Sequence, residues 1–146
     1  MGTFNYYGLI FIAVIMIPNV LFAIFNRNGF ENKYKNKIVE TLEQIGRFGC
    51  FLFMIVNIPY TYLNFWFDGA KTVYLVVNGI LIGAYLLIWA MCWKKDGVFK
   101  SLALSVLPSA VFVFCAIMLL SIPLFCLSLV FAPTHVLLSY KNVTAK

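Results

Sequence analysis

Between Ser101 and Tyr140 about forty residues pass without a single Lys, Arg, Asp or Glu. A helix rises roughly 1.5 Å per residue, so this run is twice what one crossing of a ~30 Å hydrocarbon layer requires. Three further stretches, about residues 4–25, 48–67 and 72–93, are also uncharged and each is long enough to cross. Only 11% of the chain is charged and 63% is hydrophobic, where a soluble domain carries about 25% charged residues. Lipid offers the backbone no hydrogen-bond partners, so runs of this length read as helices. The pattern predicts an all-α, polytopic integral membrane protein, with residues 1–146 forming a single transmembrane domain embedded in a lipid bilayer.

The number of spans turns on how the long run is divided. Pro108, Pro123 and Pro133 punctuate it. Proline suits the first turn of a helix, which starts a fourth span near Pro108 and ends it near residue 131. The result is a four-helix bundle with spans at about 4–25, 48–67, 72–93 and 108–131. Residues 101–107 then extend into the inner interface, with Ser101, Ser105 and Ser109 as a polar stripe, and residues 132–140 lie along the outer one. The alternative is a hairpin at Ser121–Pro123, making five spans. Its turn lacks the Gly, Asn or Asp that a tight reversal favours.

Charge bears on the choice, since Lys and Arg concentrate on the cytoplasmic side. Four spans leave eight basic residues inside (27, 33, 35, 37, 47, 94, 95, 100) and three outside (71, 141, 146); five spans make it ten against one. Both place the N-terminus outside, and the four-span reading puts the C-terminus outside as well. The net charge of +6 is thereby accounted for by loop lysines, without nucleic acid as a partner. Tyr6, Tyr7, Tyr60, Tyr62, Trp66 and Tyr74 are expected at the outer interface, and Phe30, Tyr34, Trp89 and Trp93 at the inner. Short connections and a Lys, Asn, Ile and Phe bias suggest a bacterial cytoplasmic membrane.

Residues 33–59 carry the densest polar information. Asn28-Gly29 signals a turn, and Glu31 and Lys33, Lys35 and Lys37 follow. Ile38, Leu42 and Ile45 then recur at helical spacing, with Glu40, Glu43 and Arg47 off that stripe. Glu43 and Arg47 are an i,i+4 pair in the favourable order. These three form an inner-rim charged cluster, read as a solvated face. The Asp68–Lys71 connection predicts that spans 2 and 3 form an antiparallel hairpin.

Groups able to do chemistry are few. His135 is the only histidine, so no zinc or haem cluster can be assembled in one chain; it is read as an interfacial surface residue. Cys50, Cys92, Cys115 and Cys126 lack C-x-x-C spacing and sit in apolar runs, as packing residues do. No metal, cofactor or catalytic residue is assigned. Three amides fall at depth in the spans: Asn19, Asn57 and Asn78. They are either interhelical glue or the lining of a candidate polar pocket. Pro18, Pro59, Pro108 and Pro123 are expected to kink the helices, freeing carbonyls beside the amides. Gly79-x-x-x-Gly83 lets helix backbones approach closely, for packing within the chain or for self-association.

These features support three functional readings. One is a non-enzymatic permease- or channel-type subunit for a small solute, acting as a homo-oligomer through the asparagines. Another is an accessory or assembly protein docking onto a larger membrane partner through the Gly79/Gly83 face. The third, on layout alone, is a small membrane enzyme for a lipophilic substrate.

Overall fold

The computed structural model describes residues 2–26 and 32–145. Arg27, Asn28, Gly29, Phe30, Glu31 and Lys146, which entered the turn, interface and charge expectations above, lie outside them. Five helices follow in order: α1 (Tyr6–Phe25), α2 (Lys37–Ile55), α3 (Ala70–Cys92), α4 (Val98–Leu119) and α5 (Ile122–Thr144). Among the described residues there is no strand, only an isolated antiparallel bridge between Phe4 and Val56. Four helices, α1, α3, α4 and α5, are long and apolar enough to cross a membrane. The protein is thus a multi-pass membrane protein by the length and composition of its helices.

The forty-residue run resolves into two helices, so the single span expected at 108–131 does not form. Pro108 lies in the interior of α4, and Pro123 sits in the first turn of α5. The reversal needs no glycine because Leu120 itself adopts the left-handed region, at φ 46° and ψ 44°. Its N–H donates to the Ile117 carbonyl at 3.2 Å and that of Ser121 to Ala116 at 3.0 Å. This is the Schellman pattern, which satisfies two of the last carbonyls of α4. A leucine in this region costs on the order of 1–3 kcal/mol, and surrounding bonds hold it there. The Leu119 carbonyl accepts from Asn64 N at 3.0 Å and Leu63 N at 3.3 Å, while Ile122 N donates to Thr61 O at 3.0 Å.

Those partners belong to residues 56–67, which the sequence reading placed in the outer half of span 2. The helix instead stops at Ile55, and Pro59 falls in non-helical chain rather than at a kink. Val56 is extended at φ −110° because this chain pairs with the N-terminal segment: Asn5 N donates to Ile55 O at 2.7 Å and Asn57 N to Thr3 O at 2.8 Å. Residues 57–67 then cap the α4–α5 turn, with Trp66 Nε1 donating to Ile117 O at 3.2 Å. The expected α2–α3 hairpin is replaced by this cap. Helix α2 packs mainly on α5, and α3 packs on α4 and α1.

At the other end, Asn36 caps α2, its Oδ1 accepting from Ile38 N at 3.1 Å and Val39 N at 3.3 Å. The capped helix therefore begins well before the uncharged run. Tyr34 N donates to Asn142 Oδ1 at 2.8 Å, and Ser101 Oγ to Ser139 O at 2.7 Å. The end of α5 thus lies beside the loop entering α2, whereas Thr3 lies beside the end of α2. Thr3 and Asn142 therefore lie at opposite ends of the helices, where the four-span reading put both ends of the chain on one side. With them, Lys33, Lys35, Lys37, Lys94, Lys95, Lys100 and Lys141 collect at one end and Lys71 stays at the other.

Helix α4 is the most enclosed of the four apolar helices. Phe112 packs its ring 5.3 Å from Phe131 of α5 and 5.9 Å from Phe51 of α2. On the α1–α3 side, Phe22 lies 5.0 Å from Trp89 and Phe11 5.5 Å from Tyr74. Tyr74 and Trp89, expected at the interfaces, are buried in this core.

Candidate functional site

Helix α2 is turned inside out relative to a helix on a soluble core. Ile38, Leu42, Ile45, Phe48 and Leu52 are exposed, and its buried residues are Glu43, Gly46, Cys50 and Met54. An apolar stripe facing outward is what hydrocarbon surroundings reward. The buried face can then be small and polar, and α5 approaches it closely. A Cβ on Gly46 would lie 2.8 to 2.9 Å from Cβ, Cα and N of Phe131, and one on Gly49 would lie 2.5 Å from Leu127 Cδ1.

That close approach brings Glu43 to His135. Glu43 is only 2% exposed, so the expectation of a solvated charged face is overturned for it. His135 Nδ1 lies 2.8 Å from Glu43 Oε1. A carboxylate can only accept, so Nδ1 carries the proton between them. Arg47 Nη2 donates to the same oxygen one helical turn along. The His135 ring stacks on Phe131 at 4.6 Å between centroids, inclined by 20°. The histidine is consequently a half-buried partner of the buried Glu43 carboxylate, where the sequence reading gave it no partner. Glu43 lies six residues inside α2, about 9 Å from its start. Glu40 does separate work: its Oε1 accepts from Asn32 Nδ2 at 2.7 Å and Asn36 N at 3.3 Å, closing the entry to the helix.

The three amides go to three different partners. Asn19 Nδ2 donates to Tyr85 Oη on α3 at 2.7 Å and to Ile15 O at 2.9 Å. Pro18 frees the carbonyl of Val14, so the amide serves the neighbouring helix and not the freed group. Asn78 Nδ2 donates to Tyr74 O at 2.8 Å, and its Oδ1 lies 3.5 Å from Cys115 Sγ on α4. Asn57 Nδ2 reaches Gly2 O at 3.4 Å, while its Oδ1 is buried without a hydrogen-bond partner, as is Asn64 Oδ1. None of the three bonds to another among these contacts: Asn19 reaches a tyrosine hydroxyl, and Asn57 and Asn78 reach backbone carbonyls. Sequence reading passed over Asn5, which is fully buried. Its Oδ1 caps α1 through Gly8 N at 3.1 Å and its Nδ2 reaches Tyr74 Oη at 3.3 Å. An Asn just before an apolar run is the signal that could have found it.

Gly79 and Gly83 do not pack within the chain. A Cβ at either would meet nothing within 4 Å, and both lie on the exposed face of α3 with Val76, Ile80 and Leu87. The glycines that allow close helix approach are Gly8, Gly46 and Gly49; Gly46-x-x-Gly49-Cys50 was the visible signal for two of them. The serines of α4 also turn inward: Ser109 Oγ donates to Ser105 O at 2.7 Å, and Ser105 Oγ to Leu102 O at 3.0 Å. No group of three or more His, Cys, Asp or Glu able to hold a metal occurs among the described residues. Compared with family models, curated proteins and solved structures, the chain matches none.

Proposed function

We propose that this chain is a non-enzymatic accessory protein of the membrane, which docks onto a transmembrane helix of a larger partner through the α3 face bearing Gly79 and Gly83. The observation that carries this reading is the open space above both glycines. Association in lipid relies on close backbone packing rather than on hydrophobic burial, and small residues four apart permit it. In this fold the other close-packing glycines already have a helix against them, whereas this pair has none. Gly83→Leu tests the assignment cleanly because the added side chain displaces nothing in the monomer. Unfolding in a denaturing detergent is expected to stay within about 0.5 kcal/mol of the parent, as for surface changes generally. Co-purification of the partner chain from solubilised membranes is expected to fall by about tenfold or more. Undiminished recovery of the partner removes the proposal, and loss of a homo-oligomer in its place assigns the same face to self-association.

A second reading, a permease- or channel-type subunit acting as a homo-oligomer, is favoured by one specific observation. Asn57 and Asn64 each hold a buried amide oxygen without a partner in the cap, and such groups ordinarily find one. Asn57→Leu in proteoliposomes examines it. If the amide serves a small polar solute, solute-driven swelling falls while the far-ultraviolet helix signal is retained. Swelling equal to that of protein-free vesicles before and after substitution rejects the reading.

A further inference from the structure

Helices α4 and α5 leave a long groove on their outer side, about 690 Å³ in volume. Its walls include Leu102, Val106 and Ala110 from α4 and Ala132, Leu137 and Tyr140 from α5. Small side chains at 110 and 132 make the surface concave. The one serine on the wall, Ser109, is buried and spends its hydroxyl on the Ser105 carbonyl, so the groove presents almost no hydrogen-bonding group. Both helices have membrane-crossing length and apolarity, which places hydrocarbon beside this face.

Two features identify the occupant. The groove runs from Leu102 and Tyr140, near one end of the bundle, inward to Val113 and Ala132. Eleven residues of helix are about 16 Å, close to half of a ~30 Å hydrocarbon core and hence to the depth of one leaflet. Its outer mouth also opens at the end that collects Lys33, Lys35, Lys37, Lys94, Lys95, Lys100 and Lys141, with Lys141 one turn beyond Leu137. Glu40, Glu43 and Asp96 are the acids described there; Glu43 is buried against Arg47 and His135, and Asp96 is paired with Lys100, which is itself buried. That end is complementary to a negative headgroup.

We infer that the α4–α5 groove is a lipid site, holding an acyl chain of an anionic phospholipid from the leaflet on the lysine-rich side, with the headgroup phosphate near Lys141. Each lysine near such a surface contributes attraction worth roughly fivefold in binding. The full chain, purified in mild detergent, is titrated with phosphatidylglycerol or phosphatidylcholine of identical acyl chains and read by native mass spectrometry. Phosphatidylglycerol is expected to bind about fivefold or more tightly than phosphatidylcholine. Lys141→Gln should reduce that preference about fivefold and leave phosphatidylcholine binding unchanged. Ala110→Phe fills the groove and should cut retention of both lipids about tenfold; Val136→Phe, across the groove, should do the same if the first variant proves unstable. Equal binding of the two lipids overturns the headgroup assignment. Lipid retention unaffected by both filling variants overturns the site, and so does a doubled mass that either variant abolishes, which would give the groove to a second copy of the chain.

Discussion

Glu43→Ala is expected to lower the unfolding free energy by about 1–3 kcal/mol, the usual consequence of leaving partly buried hydrogen-bond donors without their acceptor. The carboxylate holds two donors on different elements, Arg47 one turn along its own helix and His135 on α5. Without it, the imidazole N–H loses its acceptor within the α2–α5 contact, and the guanidinium loses the anion that offsets its charge. Reversible unfolding in mixed micelles measures the change. A double-mutant cycle with His135→Ala separates the pair from ordinary packing, and a coupling between 0.5 and 3 kcal/mol is expected for groups in direct contact. If the two substitutions are additive, the 2.8 Å contact contributes nothing and α2 and α5 are held by packing alone.

The second large effect is expected at the packing glycines. A Cβ on Gly8 would lie 2.0 Å from the Met54 carbonyl oxygen, a fixed backbone atom, so α1 and the end of α2 must separate to admit it. Gly46 faces the Phe131 backbone in the same way. Overpacking of this kind costs about 1–3 kcal/mol and sometimes more, so Gly8→Ala and Gly46→Ala should both lower the unfolding midpoint, Gly8→Ala the more. Gly79→Ala and Gly83→Ala, with open space before them, should hold or slightly raise it, since alanine is the better helix former. The reverse order of midpoints would falsify the arrangement of α1, α2 and α5 together.

Uninterrupted apolar runs located α1 and α3 to within two residues, because in those helices length and composition are the whole signal. The same reasoning failed where a local backbone state, not composition, decides the outcome. The break between α4 and α5 depends on Leu120 accepting a left-handed conformation that residues 61–64 stabilise from more than fifty positions away. Helix α2 ends at Ile55 because an N-terminal segment claims the next backbone groups, although nothing in residues 56–67 forbids continuing as far as Pro59. Glu40, Glu43 and Arg47 were visible as candidates, and Glu43 with Arg47 as a pair, but the partners beyond α2 were not. His135 lies 92 residues from Glu43, and no periodicity links residues on two helices. Of the asparagines singled out, Asn19 and Asn78 lie within apolar helices, whereas Asn57 lies in the non-helical chain after α2. That Tyr85 on α3 receives Asn19 depends on which helices are neighbours, and the sequence had suggested a different neighbour for α2.

The buried face of α2 has a consequence for biogenesis. As the nascent chain emerges, Glu43 and Arg47 are presented to the insertion machinery long before His135 exists. At ordinary elongation rates the delay for those 92 residues is roughly 5–20 s. Until then the Glu43 carboxylate has Arg47 as a hydrogen-bond donor but lacks His135. The second helix to be synthesised therefore completes its buried contacts only when the fifth arrives.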